Sequence, residues 1–148
     1  MKEWGHLLGG PESLAVAARV RDVTELLTGD GIAAGLPKPV TVAVHDPCHL
    51  IHAQRVAAAP REALRMAGYR VVDVSDSTVC CGAAGLYNLL RPDTAAELGM
   101  RKAQAVVTTG APVVAVANPG CAMQIRRHLD LIGHHEIGVA HPVELIDT

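Results

Sequence analysis

The sequence predicts an α/β domain, a Rossmann-like parallel sheet with flanking helices and its cysteines at the C-terminal ends of strands. Three observations carry this expectation. Short β-branched runs alternate with helix-period stretches in the order strand, helix, strand, helix, strand, helix, the pattern of parallel strands joined by right-handed crossovers. The last of these runs is apolar throughout, as in strands covered on both faces. Each of the three cysteine stations directly follows such a run, where α/β sheets gather their functional groups.

Residues 12–28 place Ala15, Ala18, Val23, Leu26 and Leu27 at helical spacing, which predicts one helix with these side chains as its buried stripe. Gly29-Asp30-Gly31 ends that helix, and Gly35 to Pro39 is a loop. Val40 to His45 reads as the first strand. Gln54 to Ala67 is expected as a helix interrupted near Pro60 and stopped by Gly68. Arg70 to Val74 is the second strand, and residues 80–85 form a glycine-bearing turn leading into a short helical stretch. Pro92 and Asp93 open a longer helix through Thr108. Val113 to Ala117 is the third strand, Asn118-Pro119-Gly120 the turn after it, and Cys121 to Ile132 a helix.

Composition narrows the function classes. The 148 residues suffice for one domain with a real core, and the 49% apolar share is mostly small aliphatics, which suits tightly packed layers. A net charge of −2 with only 2% aromatics offers neither a basic patch nor a stacking platform, so no nucleic-acid partner is expected. No segment approaches the roughly 20 apolar residues of a membrane span, and residues 1–6 lack the long apolar stretch expected of a secretory signal. A cytoplasmic setting is therefore expected, in which four cysteines point to metal or redox chemistry more than to disulfides.

The spacing of those cysteines is the most informative feature. Cys48 stands in His45-Asp46-Pro47-Cys48-His49, the pair Cys80-Cys81 precedes Gly82, and Cys121 ends Asn118-Pro119-Gly120-Cys121. Adjacent cysteines rarely bond each other, because the small ring distorts the peptide between them, but both can turn toward one polynuclear centre. Thiolate sulfur is the natural ligand of iron–sulfur clusters, and four cysteines are enough for a 4Fe-4S cubane. Gly82, Gly85 and Gly120 permit tight turns, Pro47 and Pro119 restrain two approaches, and backbone N–H groups after Cys48, Cys81 and Cys121 are expected to bond the sulfurs. Gly82, Gly120, His45 and His49 are thus expected around the ligands, the two histidines as hydrogen-bonding or surface groups. One alternative is zinc, since His45, Cys48, His49 and His52 lie within eight residues, with His49 and His52 on one helix face. Such a chain would be a structural zinc-binding or subunit-interaction module. Another is thiol catalysis by Cys80 or Cys81, which leaves the other cysteines idle.

Five segments together resemble a known group: His-Asp-Pro-Cys-His-Leu (45–50), Cys-Cys-Gly-Ala-Ala-Gly-Leu-Tyr-Asn (80–88), Leu-Gly-Met-Arg-Lys-Ala (98–103), Asn-Pro-Gly-Cys (118–121) and His-Pro-Val-Glu-Leu (141–145). They are similar to the cysteine-rich CCG domains of heterodisulfide reductases and of glycolate oxidase iron–sulfur subunits. The resemblance implies a non-catalytic electron-transfer part of an oxidoreductase. Its iron–sulfur cluster would sit on Cys48, Cys80, Cys81 and Cys121. It would pass electrons from a flavin-containing dehydrogenase subunit, oxidising a 2-hydroxy acid such as glycolate, toward a quinone-type acceptor. The family pattern ends in C-x2-C, and here Gln124 holds the last position, so four cysteines are expected and not five. The resemblance also implies a ferredoxin-like N-terminal part of the same polypeptide as a partner, and peripheral association with the inner face of the membrane through partners. A faint echo between residues 6–28 and 128–148 fits this: residues 1–30 are expected to be the helical tail of a preceding homologous repeat, and 31–148 the cysteine-rich domain.

Overall fold

In the computed structural model, which describes residues 2–29, 35, 37–77 and 79–146, four parallel strands form one sheet in the order β2-β1-β3-β4. The strands are β1 (Thr41–His45), β2 (Arg70–Asp73), β3 (Val113–Val116) and β4 (Gly138–Ala140). Chain order and spatial order diverge between β1 and β3. From β1 the chain moves outward to β2, then crosses back to β3 and continues to β4. The carboxyl ends of β1 and β3 therefore flank the crevice where such sheets bind ligands. Register pairs Val42 with Val113 and His45 with Val116 across that boundary.

The strict alternation of side chains along each strand assigns two faces. Val42 and Val44 of β1 join Ala115 and Leu64 in one buried cluster, under α4 (Ala58–Met66) and Leu145 of α8 (Pro142–Ile146). Ala43, Val114 and Val116 face the other way, against α6 (Pro92–Thr108) and α7 (Pro119–Leu131), in the larger cluster with Val106, Ile125 and Leu129. Cys81 and Cys121 belong to this second layer. Arg61 of α4 ties the two strand ends beside the crevice: it donates to both carboxylate oxygens of Asp46, at 2.8 and 2.7 Å, and to Asp73 at 2.7 Å.

The first three strands and the helix over 92–108 form as the sequence predicts, and the helix expected over 121–132 runs from Pro119 to Leu131, taking Pro119 and Gly120 of the expected turn into its first turn. Gly68, at φ 92°, stops α4, its N–H donating to the Arg65 carbonyl. Pro60 does not interrupt a helix. It sits in the first turn of α4, where a missing N–H costs nothing, and residues 49–53 form a separate π-helical turn. The single helix expected over 12–28 is two, α2 (Pro11–Arg19) and α3 (Val23–Gly29), preceded by α1 (Trp4–Leu8). Asp22 starts α3 by accepting from the Thr24 N–H, while Glu25 accepts from the Asp22 N–H, a reciprocal cap that outcompetes continuation. The expected stripe is not buried: Ala15, Ala18, Val23 and Leu26 are exposed, Leu27 is half-buried, and Thr24 is the buried residue of α3. The expected boundary at residues 30 and 31 lies outside the described residues. β4, α5 (Tyr87–Leu90) and α8 complete the fold, and no helix among the described residues is long and apolar enough to cross a membrane.

Candidate metal centre

Three loops carry the cysteines to the crevice. Pro47 follows β1 and leads to Cys48, whose helical backbone starts the π-helical turn. Cys80 and Cys81 end the loop after β2. Gly82 then turns at φ +86°, and its N–H donates to the Cys80 sulfur at 3.4 Å. A Cβ at Gly82 would collide with the Ala95 carbonyl, so only glycine lets the chain turn here with both sulfurs facing the crevice. Cys121 enters from the first turn of α7, held by Asn118, whose side chain accepts from the Cys121 N–H at 3.0 Å.

The four cysteines line a common cavity of about 220 Å³, together with His45, Asp46 and His52. Among the described residues Cys81 and Cys121, with His45, are the ones whose ligand atoms lie within 4.8 Å of one another. All four cysteines also line a larger cleft of about 560 Å³, with His49, Gly120, Gln124 and Arg127. Cys81 and Cys121 are buried, Cys80 half-buried and Cys48 exposed. The π-helical turn sends His49 to the larger cleft and His52 to the smaller cavity, so the two histidines do not line one site.

His45 is 2% exposed and so not the surface group that was one of its two expected roles; its ring lies beside the Cys81 sulfur and lowers that thiol as a hydrogen-bonding neighbour, although neither ring nitrogen has a partner in good hydrogen-bond geometry. A ring nitrogen of His45 and the sulfurs of Cys81 and Cys121 lie within 4.8 Å of one another, a set that could hold a metal. The thiols themselves are unequal. Cys81 is drawn down, first by the hydrogen bond from the Cys121 thiol and then, against burial, by hydrogen bonding from the His45 ring and the Ala83 N–H. Cys121 is pushed up, chiefly because its proton is shared with Cys81 and secondly by burial. Burial also raises Cys80. Soft thiol donors lining one cavity suit a thiophilic metal group, whose binding releases their protons.

Two further residues shape the site. Lys102, which the sequence does not single out, is 1% exposed and reaches from α6 to donate to the Asp76 carbonyl at 2.6 Å, pinning the loop that leads to Cys80. Burial holds it below the ordinary lysine value. Its phase is the signal that could have found it, since it shares the buried stripe of α6 with Gly99, Ala103 and Val106. Gln124, marked in the sequence only as the place of a missing thiol, donates to the Ala95 carbonyl at 3.1 Å and packs against the Gly82 turn.

Comparison with known proteins agrees with this geometry. The CCG cysteine-rich domain family matches residues 42–126, the span from β1 into α7 that contains all four cysteines. An uncharacterized iron–sulfur protein of Methanococcus maripaludis is 34% identical over 75% of this chain and 23% of its own length. The glycolate oxidase iron–sulfur subunit of Escherichia coli (strain K12) is 31% identical over 99% of this chain and 36% of its own. A subunit of the fumarate reductase (CoM/CoB) of Methanothermobacter marburgensis is 33% identical over 89% of this chain and 27% of its own. The chain thus spans about a quarter to a third of the length of these relatives. With three cysteine stations at the ends of parallel strands and the family matched over more than half its residues, the chain belongs to the CCG family of cysteine-rich domains.

Proposed function

We propose that this domain holds an iron–sulfur cluster on Cys48, Cys80, Cys81 and Cys121 and serves as an electron relay within a 2-hydroxy-acid oxidoreductase. Electrons would arrive from a flavin-bearing partner that oxidises glycolate or a related acid, and leave toward a quinone-type acceptor. The carrying observation is the convergence of four thiols from three separate loops on one cavity at the switch point of the sheet. The names of the relatives, iron–sulfur subunits of oxidoreductases among them, support the same reading. When bound, the cluster supplies reversible one-electron storage.

The chain's residues do the rest. The Gly82 N–H bonds the Cys80 sulfur and offsets its negative charge. Asn118 fixes the helix end that presents Cys121. Lys102 and Arg61 brace the loops after β2 and β1, so the sulfurs move little between redox states. The exposure of Cys48 puts one edge of the site within reach of a partner.

The test is redox titration of the anaerobically reconstituted chain alone. Its broad visible absorption should bleach on reduction with dithionite and return on oxidation, while glycolate causes no bleaching and no turnover. A cluster that stays unchanged through the cycle, or glycolate oxidation by the isolated chain, would contradict the relay.

A further inference from the structure

The buried imidazole of His45 has no structural employment. Strand alternation places it in phase with Ala43, facing the layer that contains Cys81 and Cys121. Its ring nitrogens are the sole buried side-chain nitrogen or oxygen atoms without a hydrogen-bond partner among the described residues. Buried polar groups are nearly always paired, so an imidazole lacking both partners points to a missing one. The nearby donors are the Cys81 and Cys121 sulfurs, within the 4.8 Å that one metal could span. Gln124, a buried polar side chain lining the larger cleft, is spent on the Ala95 carbonyl.

Resting on the cluster reading above, we propose that His45 is itself a ligand, one ring nitrogen bonding an iron of the cluster beside the cysteine sulfurs. Imidazole is a good iron ligand. Being neutral, it leaves the site less negative than another thiolate would and favours the reduced state, as histidine ligation does in other iron–sulfur centres. The ring sits at the end of the central strand, where Val44 and His45 are both 2% exposed.

The experiment uses the whole chain loaded anaerobically with iron and sulfide, from cells supplied with 15N-labelled histidine. Pulsed electron paramagnetic resonance, in whichever oxidation state is paramagnetic, should show the strong coupling of a directly bonded 15N nucleus. His45→Cys should keep iron and sulfide uptake, lose that coupling and lower the midpoint potential. Weak coupling alone in the wild-type chain, the signature of a hydrogen bond or a distant ring, overturns the proposal and leaves the cluster reading standing. Persistence of the strong coupling in His45→Cys assigns it to another histidine and overturns the proposal as well. Should His45→Cys fail to fold, the wild-type spectrum decides between bonded and non-bonded nitrogen. A chain that takes up no iron and sulfide overturns both readings.

Discussion

Cys81→Ser is expected to cost the chain its iron. The residue is 2% exposed, its sulfur lies within 4.8 Å of the Cys121 sulfur, and it lines the cavity shared by all four cysteines. Serine is a hard, weakly acidic donor that does not replace thiolate on iron. Even changes in groups that only hold the ligands lower metal affinity about 10–100-fold, and loss of a buried ligand should exceed that. Iron bound per chain after identical reconstitution of wild type, Cys81→Ser and Cys48→Ser gives the reading. Cys48 is exposed, and its substitution should leave a labile but detectable centre. The Cys81→Ser chain should also melt earlier than loaded wild type, because the centre ties three loops together and stabilises the native state alone. Equal iron in Cys81→Ser and wild type would remove Cys81 from the site.

The second large effect is on stability. Leu129→Ala removes a side chain with 0% exposure from the layer between α7, α6 and the sheet, where it shares a cluster with Ile125, Val106, Val114 and Ile137. A fully enclosed leucine replaced by alanine costs about 2–5 kcal/mol through lost transfer energy and the cavity left behind. A domain has about 5–15 kcal/mol in all. In a chain of this size each kcal/mol moves the melting midpoint by about 2–4 °C, so a fall of roughly 4–20 °C is expected in thermal denaturation of the loaded protein. Leu131, two residues on and 64% exposed, is the control, and Leu131→Ala should change stability by less than about 0.5 kcal/mol. Similar midpoints for the two variants would contradict the packing described for α7.

Much of this was legible in the residues. β1 and β3 announce themselves because strands covered on both faces must be apolar at nearly every position, and β2 follows from its place between helical patterns. That the three cysteine stations line one cavity could be expected because the carboxyl ends of parallel strands share one edge. β4 was not expected, since Gly138–Ala140 is three residues long and holds its place through register with β3. The break at Val20 to Asp22 was hidden because helical periodicity continues across it, while the Asp22–Glu25 cap is a local choice that overrides periodicity. The exposure of Val23 and Leu26 shows the limit of pattern alone, for spacing predicts which side chains share a face, and only the fold decides whether that face is covered. His45 illustrates the same limit inside the site. Its position at a strand end was readable, but its burial depends on which face of β1 receives Cys81 and Cys121.

The claim that this domain is a cluster site is tested most directly by iron and acid-labile sulfide analysis of the chain purified without exposure to air. The account predicts iron and sulfide together, several of each per folded chain, accompanied by broad visible absorption that disappears when the sulfide is released by acid. One zinc per chain with no sulfide, or a colourless metal-free protein that stays metal-free after reconstitution, would contradict it.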